Sequence, residues 1–179
     1  ADAVYQNIYT LEKERPEYVV ILAGDHIYKM DYHKLVEFHK ENQADLTVSA
    51  LRVPASESRH FGVIEVDRDR QIVGFQEKPK DPTPMPGRPD LALVSMGNYI
   101  FNTPTLVEVV TVDAAAAQSS HDFGKNVLPD MVGRRRMYGY DFSTNVVPGS
   151  TVHGRGYWRD IGTLDAYWEA HMDLVAAEP

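Results

Sequence analysis

The sequence predicts an α/β fold: a mostly parallel, mixed sheet flanked by helices, with a β-hairpin insertion. Three observations carry that prediction. An apolar run at 18–23 (YVVILA), a helix-patterned stretch from Asp31 to Asn42 and a second apolar run at 44–54 (ADLTVSALRVP) follow one another at the spacing of a βαβ unit. FGVIEVDRDRQIVGFQEKP at 61–79 sets two strand-like segments around Asp67-Arg68-Asp69-Arg70, a hairpin signature. A composition that is 43% hydrophobic and 25% charged supplies enough apolar material for a core between helices and sheet.

The elements can be justified in chain order. The opening residues have helical spacing, with Val4, Ile8 and Leu11 at i, i+4 and i+7. The 18–23 strand is apolar on both faces, as buried parallel strands are. Asp31 is placed to cap the next helix, with Leu35 and Phe38 on its inner side. The 44–54 strand, rich in Val, Leu and Thr, ends before Pro54. KDPTPMPGRPD at 80–90 is a Pro-rich loop of a length often used for function. LALVSMGNYIF at 91–101 is a further apolar strand, and NTPTLVEVV starts a helix capped by Asn102 or Thr103. DAAAAQSS at 113–120 ends that helix or links onward. The next helix follows HDFG, with Phe123, Val127, Leu128 and Met131 at helical spacing. MYGYDFSTN at 137–145 alternates as a strand, and GSTVHGRG at 149–156 reads as a flexible connection. YWRDIGT then leads into a last helix over 164–177, with Thr163 as N-cap. There is no initiating Met and the chain stops just after this helix, so it reads as a piece of a longer protein.

Charge and residue usage exclude several classes. A net charge of −8 argues against nucleic acid as a partner, because phosphate backbones recruit clustered Lys and Arg. The only basic run, residues 134–136, falls near a helix end, where it serves solubility and the helix dipole. The absence of Cys removes disulfides, thiolate catalysis and Cys-type zinc sites. The seven histidines form no His-x-x-x-His pair. No stretch approaches the roughly 20 apolar residues of a membrane span, and no signal peptide is visible. A soluble, cytoplasmic protein with no membrane partner is expected.

Three places combine charge with the end of a strand. Asp25 follows Gly24 directly after the first apolar run, where open α/β sheets bind ligands; a carboxylate there can hold Mg²⁺, or simply start a turn. Asp160 lies in YWRDIGT, either as a second metal ligand or as an acid favoured by the following helix dipole. Glu77-Lys78-Pro79 ends the 72–76 strand. Lys78 could meet a phosphate as a point charge and Glu77 could accept from sugar hydroxyls, or both could be a solvated turn. Ser95 could bond a sugar hydroxyl, Gly97 would let the backbone approach a ligand, and Asp122 could cap its helix or bind a hydroxyl.

Taken in order, LAGDHIYKMDY, HFGVIEVD, GFQEKP, SMGNYIF, SSHDFGKNVLP and YWRDIGTLDAYWEA resemble the catalytic domain of the bacterial ADP-glucose pyrophosphorylase (glucose-1-phosphate adenylyltransferase) family, over essentially the whole chain. The resemblance implies a Rossmann-like nucleotidyltransferase domain. Residues 1–179 would be its sugar-phosphate half, lacking the family's N-terminal Gly-rich loop and C-terminal β-helix. It implies adenylyl transfer from ATP to glucose 1-phosphate for glycogen- or starch-type glucan synthesis, with Mg²⁺ as cofactor and a homotetrameric parent. By motif, Asp25 and Asp160 match the metal-binding aspartates, Lys78 the lysine on the sugar phosphate and Glu77 the glutamate facing glucose. Ser95, Tyr99, Asp122, Phe123 and Trp158 would line the sugar pocket. Ala1-Asp2-Ala3 matches the tail of a segment near the adenine. Without the Gly-rich loop the piece is expected to have little activity of its own. Three other readings stay open: a pyrophosphorylase for another sugar nucleotide, a regulatory subunit that binds sugar phosphate, and a structural fragment whose site is not held in geometry. Retention of Asp25, Lys78 and Asp160 speaks against the regulatory one.

Overall fold

In the computed structural model, which describes residues 1–149 and 156–176, one long strand organises the sheet. The elements run α1 (Asp2–Tyr5), α2 (Ile8–Glu14), β1 (Tyr18–Ile21), β2 (His26–Tyr28), α3 (Tyr32–Glu41) and β3 (Leu46–Pro54). They continue with β4 (Gly62–Val66), β5 (Ile72–Glu77), β6 (Leu91–Asn102), α4 (Thr103–Ala115), α5 (Leu128–Met131), β7 (Met137–Asp141), β8 (Trp158–Asp160) and α6 (Leu164–Leu174). The six-stranded sheet has the order β5-β4-β6-β3-β7, and β1 joins it by pairing with β6.

The sheet is mostly antiparallel, which corrects the expectation of a mostly parallel one. Among the described residues only β3 and β7 pair in parallel; β1, β3 and β4 all run antiparallel to β6. The β1–α3–β3 crossover is present, and β1 and β3 do point the same way. However, β6 lies between them, with Phe101 opposite both Val19 and Leu46. An apolar run reports that a strand's faces are covered and is silent about the direction of its neighbours. β1 also proves less buried than expected: among the described residues it pairs on one side only, and Val20 and Leu22 are exposed.

Local chemistry explains the other elements. Asp31 caps α3 by accepting from the His33 N–H at 3.0 Å. Asp67 builds the hairpin turn, its Oδ1 accepting from the N–H groups of Asp69 and Gln71 at 2.9 Å each. The opening helix is broken at Gln6-Asn7, yet Val4, Ile8 and Leu11 still pack on the main core as their spacing predicts. The helix expected after HDFG begins as a π-helical turn, Phe123–Val127, before α5, whose Pro129 has no N–H to give. The Pro-rich loop folds back on the hairpin, Thr83 donating to Glu65 at 2.9 Å. The arginine run is held by acids: Arg134 by Asp130, Arg135 by Glu108 and Arg136 by Asp45. Residues 150–155, in the connection read as flexible, lie outside the described residues.

Behind β3 and β6 lies the main core, with Leu46, Val48, Phe101, Leu106, Leu128 and Met137 closed to solvent. One buried polar knot ties α3 to this sheet. His39 is 1% exposed, with Nδ1 2.8 Å from Thr47 Oγ1 and Nε2 3.3 Å from Asn102 Oδ1. The Asn102 amide donates to the Ala44 carbonyl, so its Oδ1 faces His39 as an acceptor. His39 Nε2–H therefore donates, and Nδ1 accepts from the Thr47 hydroxyl. The ring is neutral, and burial pushes its pKa below the usual histidine value. The unfolded chain then binds the extra proton, so this contribution is full above the unfolded pKa of about 6.5 and is lost as pH falls below it. Thermal melting between about pH 7.5 and about pH 5.5 should show a destabilisation that His39→Gln removes. An undiminished pH response in the variant would contradict this assignment.

Candidate active site

The site is built where a two-stranded ribbon meets an irregularity in β6. β2 and β8, each three residues long, pair antiparallel and set His26 opposite Asp160. Asp25 immediately precedes β2, and the ribbon thereby brings the two expected metal ligands together. One donor atom from each of Asp25, His26 and Asp160 lies within 4.8 Å of the other two. The Ile161 N–H bonds the Asp25 carbonyl at 3.4 Å, and the Gly162 N–H bonds Asp160 Oδ1 at 3.3 Å. Buried Asn98 fixes the approach to Asp25 by accepting from the Ala23 N–H at 3.1 Å. From the other side, Arg159 and Tyr157 each bond Asp173 of α6 at 2.9 Å, anchoring β8 to that helix.

Two exposed carboxylates this close repel one another, and a hard divalent cation with oxygen preference relieves that repulsion. The donor set therefore fits Mg²⁺ or Mn²⁺. A cation held there would neutralise phosphate charge and orient a substrate oxygen.

The irregularity in β6 makes the second part. Val48 of β3 faces Tyr99, but Ala50 faces Ser95, so β6 carries two extra residues between them. Gly97 sits in this bulge at φ 77°, and its N–H donates to Ser95 Oγ at 3.1 Å. Tyr99 is 8% exposed, and burial drives its phenol up to about 12 with help from the nearby charges of Glu77 and Asp122, so it stays a donor. Glu77 ends β5 with its carboxylate laid over two glycines. A Cβ added to Gly124 would meet Glu77 Oε2 at 2.5 Å, and one added to Gly62 would meet it at 3.1 Å. Burial raises the Glu77 pKa and Asp122 adds to the rise, while Lys78 and Lys125 oppose it. Lys78 takes φ 47°, which a non-glycine residue adopts at a cost of about 1–3 kcal/mol and which clusters at functional sites. Its N–H is tied to the Phe61 carbonyl at 3.1 Å, and its exposed ammonium lies 4.0 Å from Glu77.

Trp158 joins the two parts. Its ring packs edge-on with both His26, at 5.0 Å, and Phe61, at 5.8 Å. Asp122 caps the π-helical turn through the Lys125 N–H at 2.9 Å, while Phe123 packs on Tyr99 and Phe101 as a core anchor for that loop. Ala1 and Asp2 bond the His121 carbonyl, so the first residues abut the same loop. A separate cleft of about 720 Å³ between α4 and α5, lined among others by Glu108, Val112, Asp130 and Arg134, contains none of the residues expected from the sequence. Three contributors escaped sequence reading. Asn98 and Gly124 carry no local signal that separates a support from an ordinary strand or loop residue. His26 was detectable only as the neighbour of Asp25.

The chain has recognisable relatives among known proteins. A family model described as nucleotidyl transferase matches residues 1–177. The chain is similar to glucose-1-phosphate adenylyltransferase of Photobacterium profundum, with 54% identity over 99% of this chain and 44% of the relative. It is also similar to that of Anaeromyxobacter dehalogenans, with 49% identity over 100% of this chain and 44% of the relative. A third relative, glucose-1-phosphate adenylyltransferase 1 of Vibrio cholerae, is 51% identical over the same shares. The chain thus spans less than half the length of the curated relatives it matches. On a family match that covers nearly every residue, the chain belongs to the nucleotidyl transferase family.

Proposed function

We infer that this chain is the sugar-phosphate half of a glucose-1-phosphate adenylyltransferase centre, which joins ATP and glucose 1-phosphate into ADP-glucose and pyrophosphate. The observation that supports it best is the pairing of Asp25 with Asp160 through a ribbon whose Trp158 also packs on Phe61, the residue whose carbonyl ties down the Lys78 N–H. A phosphate oxygen of glucose 1-phosphate attacks the α-phosphorus of ATP, and the bond to the β-phosphate oxygen breaks. The attacking oxygen is already ionised, so no general base is needed, and positioning with charge neutralisation carries the reaction. Lys78 offsets the charge of the sugar phosphate and fixes its place. Glu77, with Ser95, Tyr99 and Asp122 nearby, offers hydroxyl partners for the hexose. Mg²⁺ held by Asp25 and Asp160 would supply charge neutralisation at the ATP phosphates.

The same reading makes the parent a cytoplasmic homotetramer. Among the described residues no helix is long and apolar enough to cross a membrane, and α6 exposes Leu164, Trp168 and Leu174 as apolar surface open to a partner.

Calorimetric titration of glucose 1-phosphate tests the site. Saturable binding is expected, weakened about 10- to 100-fold in Lys78→Ala, the loss of a charge-assisted hydrogen bond of about 1.5–3 kcal/mol. Circular dichroism must show both proteins folded. Equal binding by the variant, or none by folded wild type, would overturn the assignment.

A further inference from the structure

His26 is the member of the ribbon cluster that the two-aspartate reading leaves without a task, and its setting is tightly constrained. Its side chain is 16% exposed and stands edge-on to Trp158 with ring planes 66° apart. On another side Gly97 leaves it room, since an added Cβ would meet its Cε1 at 3.5 Å. Nδ1 is buried without a hydrogen-bond partner. Nε2 lies 3.6 Å from Asp25 Oδ1.

Two roles suit such a ring. It can bind a cation directly through Nε2, or it can carry the proton on Nε2 and hold Asp25. The tautomer discriminates between them. Direct binding needs a bare Nε2, which places the proton on Nδ1 as a buried N–H with no acceptor. Orphaned buried N–H groups are rare, whereas an under-used acceptor is better tolerated. The other tautomer leaves Nδ1 as that acceptor and turns Nε2–H toward Asp25.

We propose that His26 is a positioning residue: its Nε2–H holds one oxygen of the Asp25 carboxylate so that the other meets a divalent cation shared with Asp160. The inference rests on reading Asp25 and Asp160 as cation ligands. At 3.6 Å the contact is longer than a formed hydrogen bond; such contacts tighten when the site is loaded. Groups that orient a metal's ligands are worth about 10- to 100-fold in affinity.

The test is Mn²⁺ titration of the 179-residue chain, with free Mn²⁺ read by electron paramagnetic resonance and melting curves confirming the fold. His26→Phe keeps a ring against Trp158 but removes the donor, and should weaken Mn²⁺ binding about 10- to 100-fold. His26→Gln, whose amide nitrogen can reach the place of Nε2, should recover most of the loss. Unchanged affinity in His26→Phe overturns the proposal. So does a His26→Gln as weak as His26→Phe, because the nitrogen would then be a ligand itself. Wild-type chain gives a reading that needs no variant: electron spin echo on bound Mn²⁺ should show no directly coordinated nitrogen, and a strong nitrogen coupling overturns the proposal. Asp25→Asn separates the two levels. Full binding by Asp25→Asn removes the metal centre itself, whereas its loss alongside a normal His26→Phe removes only the role of His26.

Discussion

Asp160→Asn should cost the chain its divalent cation affinity while slightly stabilising the cation-free fold. The two effects have opposite signs because one carboxylate has two relations. Toward Asp25 it is a like charge within 4.8 Å, so removing it relieves repulsion. That gain is small, since both groups are exposed and screened by water. Toward a cation it is one of two anionic ligands. Loss of a group that merely orients a ligand already costs about 10- to 100-fold, so loss of the ligand's own charge should cost at least that much. Binding to the folded state alone raises the melting temperature, by an amount that grows with the logarithm of the cation concentration relative to its Kd. Melting with and without Mn²⁺ therefore reads both effects in one experiment: wild type should shift upward and Asp160→Asn should not. An equal shift in both would remove Asp160 from the metal centre.

Gly124→Ala should disable the sugar side from within the scaffold. The new Cβ would stand 2.5 Å from Glu77 Oε2, closer than such atoms approach, and a tight 3.1 Å from its Cδ. Either the Glu77 carboxylate leaves its place or the Asp122-capped turn moves. Because the atoms met are the far end of a flexible side chain, the stability cost should lie at or below the low end of the about 1–3 kcal/mol of core overpacking, whereas a displacement of about 1 Å near reacting groups can cost a hundredfold in rate. The distinguishing experiment is a double-mutant cycle. Glu77→Ala removes the atom that Gly124→Ala collides with, so the double variant should melt higher than the sum of the single losses allows. Strict additivity would mean that Gly124 does not serve as the floor beneath Glu77.

Much of the fold was readable because its signals are local. Asp31 and Thr163 are caps whose side chains bond the N–H groups that the rule specifies. The hairpin followed from two strand-like segments around the polar turn at 67–70, which Asp67 then holds closed. Strand direction was not readable, because β6 enters between β1 and β3 from far along the chain and nothing in their apolar runs encodes it. The same limit hid the ribbon. His-Ile-Tyr and Trp-Arg-Asp are too short for any periodicity to register, and each becomes a strand only through the other. Asp25, Lys78 and Asp160 drew notice as charged residues at strand ends, each open to a plain turn or helix-dipole reading, and only the family resemblance gave them expected roles. Asn98 and Gly124 did not, because support beneath a functional group is a property of three-dimensional proximity.

The ribbon also dates the site within the folding process. β2 and β8 are more than 120 residues apart in sequence, with β3 to β7 of the sheet laid down between them. Contacts so distant in sequence close late, after local turns and hairpins have formed. A chain still emerging from the ribosome can build α3 and the β4–β5 hairpin, yet it holds Asp25 without Asp160 and cannot bring the two carboxylates together. Divalent capture is therefore a signal that the ribbon has closed, and a stopped-flow trace of Mn²⁺ uptake during refolding would time that long-range event rather than the local ones.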